Sequence, residues 1–154
     1  MRFVPACALV AALTTSATAN DLRWTDGYGQ GTTTAVVYNA GGASVNIFCP
    51  LGQTDTTPGI FIETKTVRFK AGDKAAVQFV VDGKAYAFDF NEIRFKAKGA
   101  DKRKTLSSLI DALVNSKGKS FTMEFPQLGK SEQFSTLGAK KAMTSGKQFL
   151  DGCE

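Results

Sequence analysis

The chain has 154 residues, of which 43% are hydrophobic and 21% are charged, and this composition suits one globular domain with a single core. It carries 19 Lys and Arg against 14 Asp and Glu, which gives a formal net charge of +5. Because it contains no histidine, Ser-His-Asp, Cys-His and histidine-based zinc sites are excluded. Any acid–base chemistry would fall to carboxylates, lysine or tyrosine.

The N-terminus has the pattern of a secretory signal peptide. Arg2 precedes a short apolar run over residues 4–13, and an Ala-Thr-Ala motif that ends at Ala19 is typical of a cleavage site. The apolar run is shorter than the ~20 residues that a membrane-spanning helix needs, and no later stretch is long enough. The sequence therefore predicts a signal peptide over residues 1–19 and one periplasmic or secreted β-rich domain over residues 20–154.

The glycine-rich segment after the predicted cleavage site is Gly27-Tyr28-Gly29-Gln30-Gly31. A phosphate-binding loop of this kind needs a strand before it and a helix after it, whereas here a strand is predicted to follow. We therefore expect a flexible entry loop, in which Trp24 and Tyr28 pack or contact a partner.

Strands dominate the predicted secondary structure. Segments rich in β-branched and aromatic residues predict strands over residues 33–38, 45–49 and 60–69. Further alternating segments predict strands over residues 93–98 and 121–125, the last ending at Pro126.

The clearest local signal is a β-hairpin at Asp82-Gly83, which lies between two alternating runs. Both residues of such a turn need positive φ, and Asp-Gly satisfies this requirement. A two-residue loop here would pair Phe79 with Tyr86 and Val77 with Phe88, so that all four side chains share one face of the sheet.

An oxygen-rich cluster follows the hairpin at Asp89, Asn91 and Glu92. It is either a cation site or carboxylate pair, or a solvated bend between two strands. The bend is favoured, because such residues are common in turns.

Basic residues alternate along two of the predicted strands and continue beyond them. If those strands were neighbours, the cations would form one patch for an anionic partner such as a lipid phosphate, an acidic glycan or an acidic protein surface. The candidate residues are Arg68, Lys70, Arg94, Lys96, Lys98, Lys102, Arg103 and Lys104. The alternative is that they form the polar outer side of strands and prevent edge-to-edge aggregation. Nucleic acid is not expected as a partner, since the predicted protein is exported.

Two segments have helical periodicity instead. The apolar residues of the first are Leu106, Leu109, Ile110, Leu113 and Val114, with Thr105 as the expected N-cap and Lys117-Gly118 as the expected end. The apolar and small residues of the second are Ala139, Ala142, Met143, Gly146, Phe149 and Leu150. The predicted class is therefore α+β, mainly β: an antiparallel sheet or sandwich with one or two helices packed on it in the C-terminal half.

The segment from Phe134 to Met143, continuing to Cys153, resembles the end of small exported proteobacterial proteins of the invasion-associated locus B type. In these, a Phe-Ser-Leu-like strand leads through Gly into a short helix that contains Ala. Trp24 and the motif Gly118-Lys119-Ser120-Phe121 fit the same outline. The resemblance implies a periplasmic, β-rich, non-enzymatic protein, with some members linked to host-cell invasion.

Three cysteines are present, and Cys7 would be removed with the signal peptide. Cys49 and Cys153 would remain in an oxidising compartment, which favours a disulfide between them. The alternative, a redox or nucleophilic thiol, has neither a Cys-x-x-Cys motif nor a histidine to support it.

These features favour a non-enzymatic binding or interaction protein that needs no cofactor or metal. The first alternative is a periplasmic inhibitor or immunity protein against a toxin or cell-wall hydrolase, which size and disulfide fit equally well. Another alternative is a carboxylate-dependent hydrolase, for which no constellation of catalytic residues stands out.

Overall fold

The protein is described by a computed structural model, which covers residues 22–52, 57–144, 149, 152 and 153. The predicted signal peptide, its cleavage site and Cys7 lie outside the described residues. The strands are β1 (Thr25–Gly29), β2 (Thr32–Tyr38), β3 (Ser44–Pro50), β4 (Gly59–Glu63), β5 (Lys74–Val81), β6 (Lys84–Asn91), β7 (Arg94–Lys96), β8 (Ser120–Phe125) and β9 (Lys130–Ser135). The helices are α1 (Ala100–Val114), a 3₁₀ turn (Pro126–Leu128) and α2 (Ala139–Thr144).

The nine strands form one antiparallel sheet in the order β1-β2-β3-β4-β7-β6-β5-β8-β9. Its edges approach each other at one corner, where the Trp24 N–H donates to the Leu137 carbonyl at 2.9 Å. Helix α1 contacts β5 and β6, whereas α2 contacts β1 and β2. The prediction of an antiparallel sheet with helices in the C-terminal half is confirmed.

The predicted hairpin forms between β5 and β6. Asp82 and Gly83 have φ of 48° and 80°, as the two-residue turn requires. The register pairs Phe79 with Tyr86 and Val77 with Phe88, and these four side chains are buried. Turn chemistry and hydrophobic alternation specify the same register, so the prediction is confirmed.

Asp82 also fastens the loop that follows α1. Its carboxylate accepts hydrogen bonds from the Ser116 hydroxyl at 3.0 Å and from the backbone N–H groups of Lys117 at 2.9 Å and Gly118 at 3.0 Å. The Lys117 N–H is the largest cause that holds the pKa of Asp82 below its usual value. The hairpin turn is thereby tied to the start of β8.

Helix α1 begins earlier than predicted. Its first residue is Ala100, after Gly99 with φ of 88°, so Thr105 lies inside the helix and the N-cap prediction is wrong. The Thr105 hydroxyl instead donates to the Asp101 carbonyl at 3.0 Å. The polar residues 101–104 are compatible with a helix but carry no apolar periodicity, so the pattern revealed only the later turns. The predicted apolar face is nevertheless buried at Leu106, Leu109, Ile110 and Leu113.

Strand β4 is shorter than predicted, since it ends at Glu63 instead of continuing to residue 69. The reason is Glu132 on β9, whose Oε1 accepts hydrogen bonds from both the hydroxyl and the N–H of Thr66. It also accepts from the Thr64 hydroxyl at 2.6 Å and the Lys65 N–H at 2.9 Å. Residues 64–73, here called the β4–β5 connection, are thus held against the edge strand β9.

The glycine-rich segment near the N-terminus is not the flexible entry loop that we expected. Thr25–Gly29 is the edge strand β1, which pairs with β2 through a turn at Gln30 and Gly31 with φ of 50° and 71°. Trp24 is buried, and its ring lies 5.9 Å from that of Phe121, whereas Tyr28 is 72% exposed.

The C-terminal part of the chain closes the fold. In α2 the buried residues are Ala139, Ala142 and Met143, as predicted, while Gly146 and Leu150 lie outside the described residues. The predicted disulfide between Cys49 and Cys153 is present, with a Cα–Cα distance of 5.0 Å, and links β3 to the end of the chain. Among the described residues, no helix combines the length and apolar character needed to cross a membrane.

Candidate anion-binding groove

Two aromatic side chains lie on the face of the sheet that points away from the core. On β3, Phe48 lies between the buried residues Ile47 and Cys49, and on β4, Phe61 lies between two buried isoleucines. Because side chains alternate along a strand, both rings face outward, where each is half-buried. The outer face of these two neighbouring strands therefore carries an apolar aromatic surface.

Gly59 shapes the space between these rings. A Cβ atom there would lie 2.1 Å from the Phe95 carbonyl oxygen and 2.9 Å from Cζ of Phe48, so no larger residue fits without displacement. The register places Gly59 between Phe48 on β3 and Lys96 on β7. The tip of the Phe48 ring therefore reaches over bare backbone toward the cations of β7.

The short strand β7 supplies Arg94 and Lys96, and Lys98 follows two residues after its end. Phe95 and Ala97 are buried in the core, whereas Arg94, Lys96 and Lys98 are exposed on the outer face. The Arg94 guanidinium lies 5.5 Å from the centre of the Phe61 ring, to which it is paired across the strands. Such cation–π contact holds the guanidinium above the sheet without neutralising its charge.

Together these residues line a depression of about 620 Å³, here called the β7 groove. Its described lining residues are Thr34, Asn46, Phe48, Thr57, Phe61, Arg94, Lys96 and Lys98. None of them is acidic, so the groove carries three positive charges that the described lining does not compensate. Asn46 Oδ1 is buried without a hydrogen-bond partner in the described structure, on the residue that pairs with Phe61 across the strands and precedes Phe48 by two positions.

The other predicted basic residues do not join the groove. Arg68 and Lys70 lie on the β4–β5 connection and not on a strand, so the prediction that they share a strand face is wrong. Lys102, Arg103 and Lys104 lie in the first turns of α1. Of these, Arg103 and Lys104 line a separate depression of about 530 Å³ along the helix. The structure thus gathers Arg94, Lys96 and Lys98 in one groove and distributes the other five elsewhere.

Of the oxygen cluster, Asp89 and Asn91 lie on strand β6, so the predicted bend between two strands is formed only at Glu92. Glu92 has φ of 54° in the turn between β6 and β7, and its Oε1 accepts the Gly72 N–H at 2.8 Å. Its own N–H donates to the Asp73 carbonyl at 2.7 Å. Within residues 22–52, 57–144 and the short described pieces after them, no group of three or more His, Cys, Asp or Glu side chains could hold a metal.

Sequence reasoning missed the aromatic half of the groove. The signal was the unbroken apolar run Ile60-Phe61-Ile62, because a strand with one solvent-exposed face should alternate apolar and polar residues. Thr34, Asn46 and Thr57 had no distinguishing pattern, since only the strand register brings them beside β7.

The fold and the groove define a class: a small, disulfide-linked, antiparallel β-rich domain with a cation-lined groove on its outer face. The family model YfjT matches residues 22–143, and the chain therefore belongs to the YfjT family. Neither a curated protein nor a solved structure matches the chain.

Proposed function

We propose that this protein is an exported, non-enzymatic binding protein that takes an anionic partner in the β7 groove. The observation that carries the proposal is the set of exposed side chains Arg94, Lys96 and Lys98, which line one groove without an acidic residue in its described lining. Cations grouped in a concave, partly apolar surface raise the local concentration of anions and speed their association.

Export is part of this proposal. The N-terminal pattern of residues 1–19 supports it, and the disulfide between Cys49 and Cys153 is compatible with an oxidising compartment. The resemblance of the C-terminal segment to invasion-associated locus B proteins supports a periplasmic, non-enzymatic protein, since some of those proteins are linked to host-cell invasion. The exported form should begin at Asn20, and intact-mass spectrometry that finds Met1 retained would contradict export by this route.

A binding experiment with matched charge variants tests the partner's chemistry. Wild type, an Arg94→Gln/Lys96→Gln/Lys98→Gln variant and a Lys130→Gln/Lys140→Gln/Lys141→Gln control are immobilised and exposed to periplasmic extract. The control loses the same charge at exposed positions on β9 and α2 that do not line the groove. We expect wild type and control to retain the same partner, which salt releases progressively because exposed charges are screened over ~8 Å at physiological ionic strength.

The variant of β7 should lose most of that retention while keeping its melting temperature, as surface substitutions usually do. Equal retention by all three proteins, or retention that ignores salt, would mean that the cations only form the polar outer side of a strand. If the retained partner is a toxin or hydrolase whose activity falls on binding, the same experiment assigns the inhibitor or immunity role instead.

A further inference from the structure

The β7 groove is larger than an inorganic anion requires. Its volume of about 620 Å³ lies within the ~300–1,000 Å³ typical of sites for small organic ligands. A phosphate or sulfate ion held by the cations of β7 would leave the part of the groove around Phe48 empty. The shape therefore suits an anion that is attached to a larger body.

The two sides of the groove differ in chemistry. Cations lie along β7, the aromatic rings lie on β4 and β3, and the hydroxyl of Thr34 lies on β2. Neighbouring strands are spaced by ~4.8 Å, so β7 and β3 lie two such spacings apart, with Gly59 of β4 between them. Because the Phe48 ring leans over Gly59, a ligand whose head contacts Lys96 can place its next group against the tip of that ring. The anionic head of such a ligand would thus contact the cations, and its body would contact the aromatic rings.

Phe48 is the better platform for the body of such a ligand. One face of the Phe61 ring is already covered by the Arg94 guanidinium at 5.5 Å. Phe48 has bare backbone at Gly59 beside it and no cation–π partner among the described residues. Stacking of a flat group on an exposed aromatic ring is typically worth ~1–3 kcal/mol.

Three cations with one arginine favour a phosphate over a carboxylate as the head. A phosphate monoester carries between one and two negative charges at neutral pH, and the guanidinium fork matches its oxygens while lysines act as point charges. We infer that the groove binds a small organic phosphate, with the phosphate on Arg94, Lys96 and Lys98 and a flat apolar body on Phe48. This inference rests on the proposed function and specifies its ligand.

Isothermal titration of the full exported chain with three probes at one ionic strength tests the inference. The probes are phenyl phosphate, inorganic phosphate and phenol. We expect phenyl phosphate to bind about tenfold more tightly than inorganic phosphate, and phenol to show no measurable binding. Equal affinity for the two phosphates would overturn the inference but leave an anion-binding function intact.

Substitutions of Phe48 show whether that preference comes from the ring. Phe48→Leu should remove the preference for phenyl phosphate and leave inorganic phosphate binding unchanged, whereas Phe48→Tyr should retain it because the flat face remains. A preference that survives Phe48→Leu in a protein with unchanged melting temperature would overturn the assignment. Loss of binding of both phosphates is expected for the Arg94→Gln/Lys96→Gln/Lys98→Gln variant, and unchanged binding there would overturn the proposed function itself.

Vesicles separate a soluble phosphate ester from a lipid headgroup. Vesicles of phosphatidylcholine with phosphatidic acid present the same phosphate chemistry on a surface. If the protein binds these vesicles and shows no preference for phenyl phosphate in solution, the groove binds lipid headgroups at a membrane surface, and the inference of a small soluble ligand is overturned. Preference for phenyl phosphate without vesicle binding supports it.

Discussion

Glu132 shows how one buried carboxylate can organise a distant segment. It is 7% exposed, and all four hydrogen bonds to the β4–β5 connection end on Oε1, while Oε2 is buried without a partner in the described structure. Burial raises its pKa, but the hydrogen bonds from Thr64, Thr66 and Lys65 together lower it below the ordinary value. The charged form is therefore the one that the fold favours.

Replacing Glu132 should separate charge from hydrogen bonding. Glu132→Gln keeps an acceptor for the four donors and should cost about 1 kcal/mol in the free energy of unfolding, because bonds to a charged group are stronger. Glu132→Leu leaves the N–H groups of Lys65 and Thr66 without their acceptor and should lower the free energy of unfolding by about 3 kcal/mol. Urea denaturation measures both, with Glu124→Gln on the neighbouring strand as a control expected within about 0.5 kcal/mol of wild type. A Leu variant as stable as the Gln variant would contradict the role given to Glu132.

The same residue predicts a pH dependence. Since the folded pKa of Glu132 is lower than its unfolded pKa, the folded state binds this proton less readily. The extra stability is fully present above the unfolded value, which for glutamate is ~4.3, and is lost as pH falls through the folded pKa. The stability difference between wild type and Glu132→Gln should thus be constant near neutrality and shrink in acid. A difference that grows as pH falls would have the wrong sign.

At the scale of elements, Gly59 fixes how closely β4 and β7 approach. Gly59→Ala places a methyl group 2.1 Å from the Phe95 carbonyl, so the strands must separate, and we expect a loss of about 2 kcal/mol or more. Gly29→Ala is the matched control, because a Cβ at Gly29 has nothing within 4 Å. Its stability should change by less than about 1 kcal/mol. Thermal unfolding of both variants tests this prediction. Equal stability of the two variants would show that β4 can move away from β7 without loss of stability.

The elements that the sequence predicts well are those whose signals are local. The hairpin at Asp82-Gly83 was predictable in register, since turn chemistry and alternation lie within the same short segment. Strand β1 was not predictable from apolar alternation, because all its residues are exposed on an edge. The early end of β4 depends on Glu132, which is 66–68 residues away in sequence and invisible to any local pattern.

The candidate site was half predictable for the same reason. The alternation of Arg94, Lys96 and Lys98 with buried residues is local, and their common face followed from it. Their proximity to Phe48 and Phe61 requires the order β3-β4-β7, in which β7 pairs with a strand more than 30 residues earlier. Composition and spacing predicted the positive charges of the groove, whereas the position of its two aromatic rings followed only from the strand order.

At the scale of the whole molecule, long-range links connect the margins of the sheet. The backbone N–H of Trp24, just before β1, donates a hydrogen bond to the Leu137 carbonyl, just after β9. Hydrogen bonds to Glu132 attach the β4–β5 connection to β9. The disulfide adds a covalent link from β3 to the chain's end. It lies on the strand that carries Phe48, so the link also anchors the strand that forms the floor of the groove.

The disulfide should therefore contribute strongly to stability. Cys49 and Cys153 are 104 residues apart, and closing a loop of that size is worth about 4–5 kcal/mol in the chain-entropy model. Reduction of the disulfide should lower the melting temperature of the protein by about 10 °C or more. A Cys49→Ser/Cys153→Ser variant should melt near the reduced wild type and should not respond to reductant, which controls for effects of the reductant itself.

Thiol labelling of denatured, unreduced protein connects this prediction to export. If Cys49 and Cys153 are bonded and the signal peptide has been removed, no thiol should be labelled, because the chain's third cysteine is Cys7. One labelled thiol that maps to Cys7 would show that the N-terminal segment is retained while the disulfide is intact. Labels on Cys49 and Cys153 would show that the disulfide does not form. The melting temperature would then have to be independent of reductant, so the two measurements must agree.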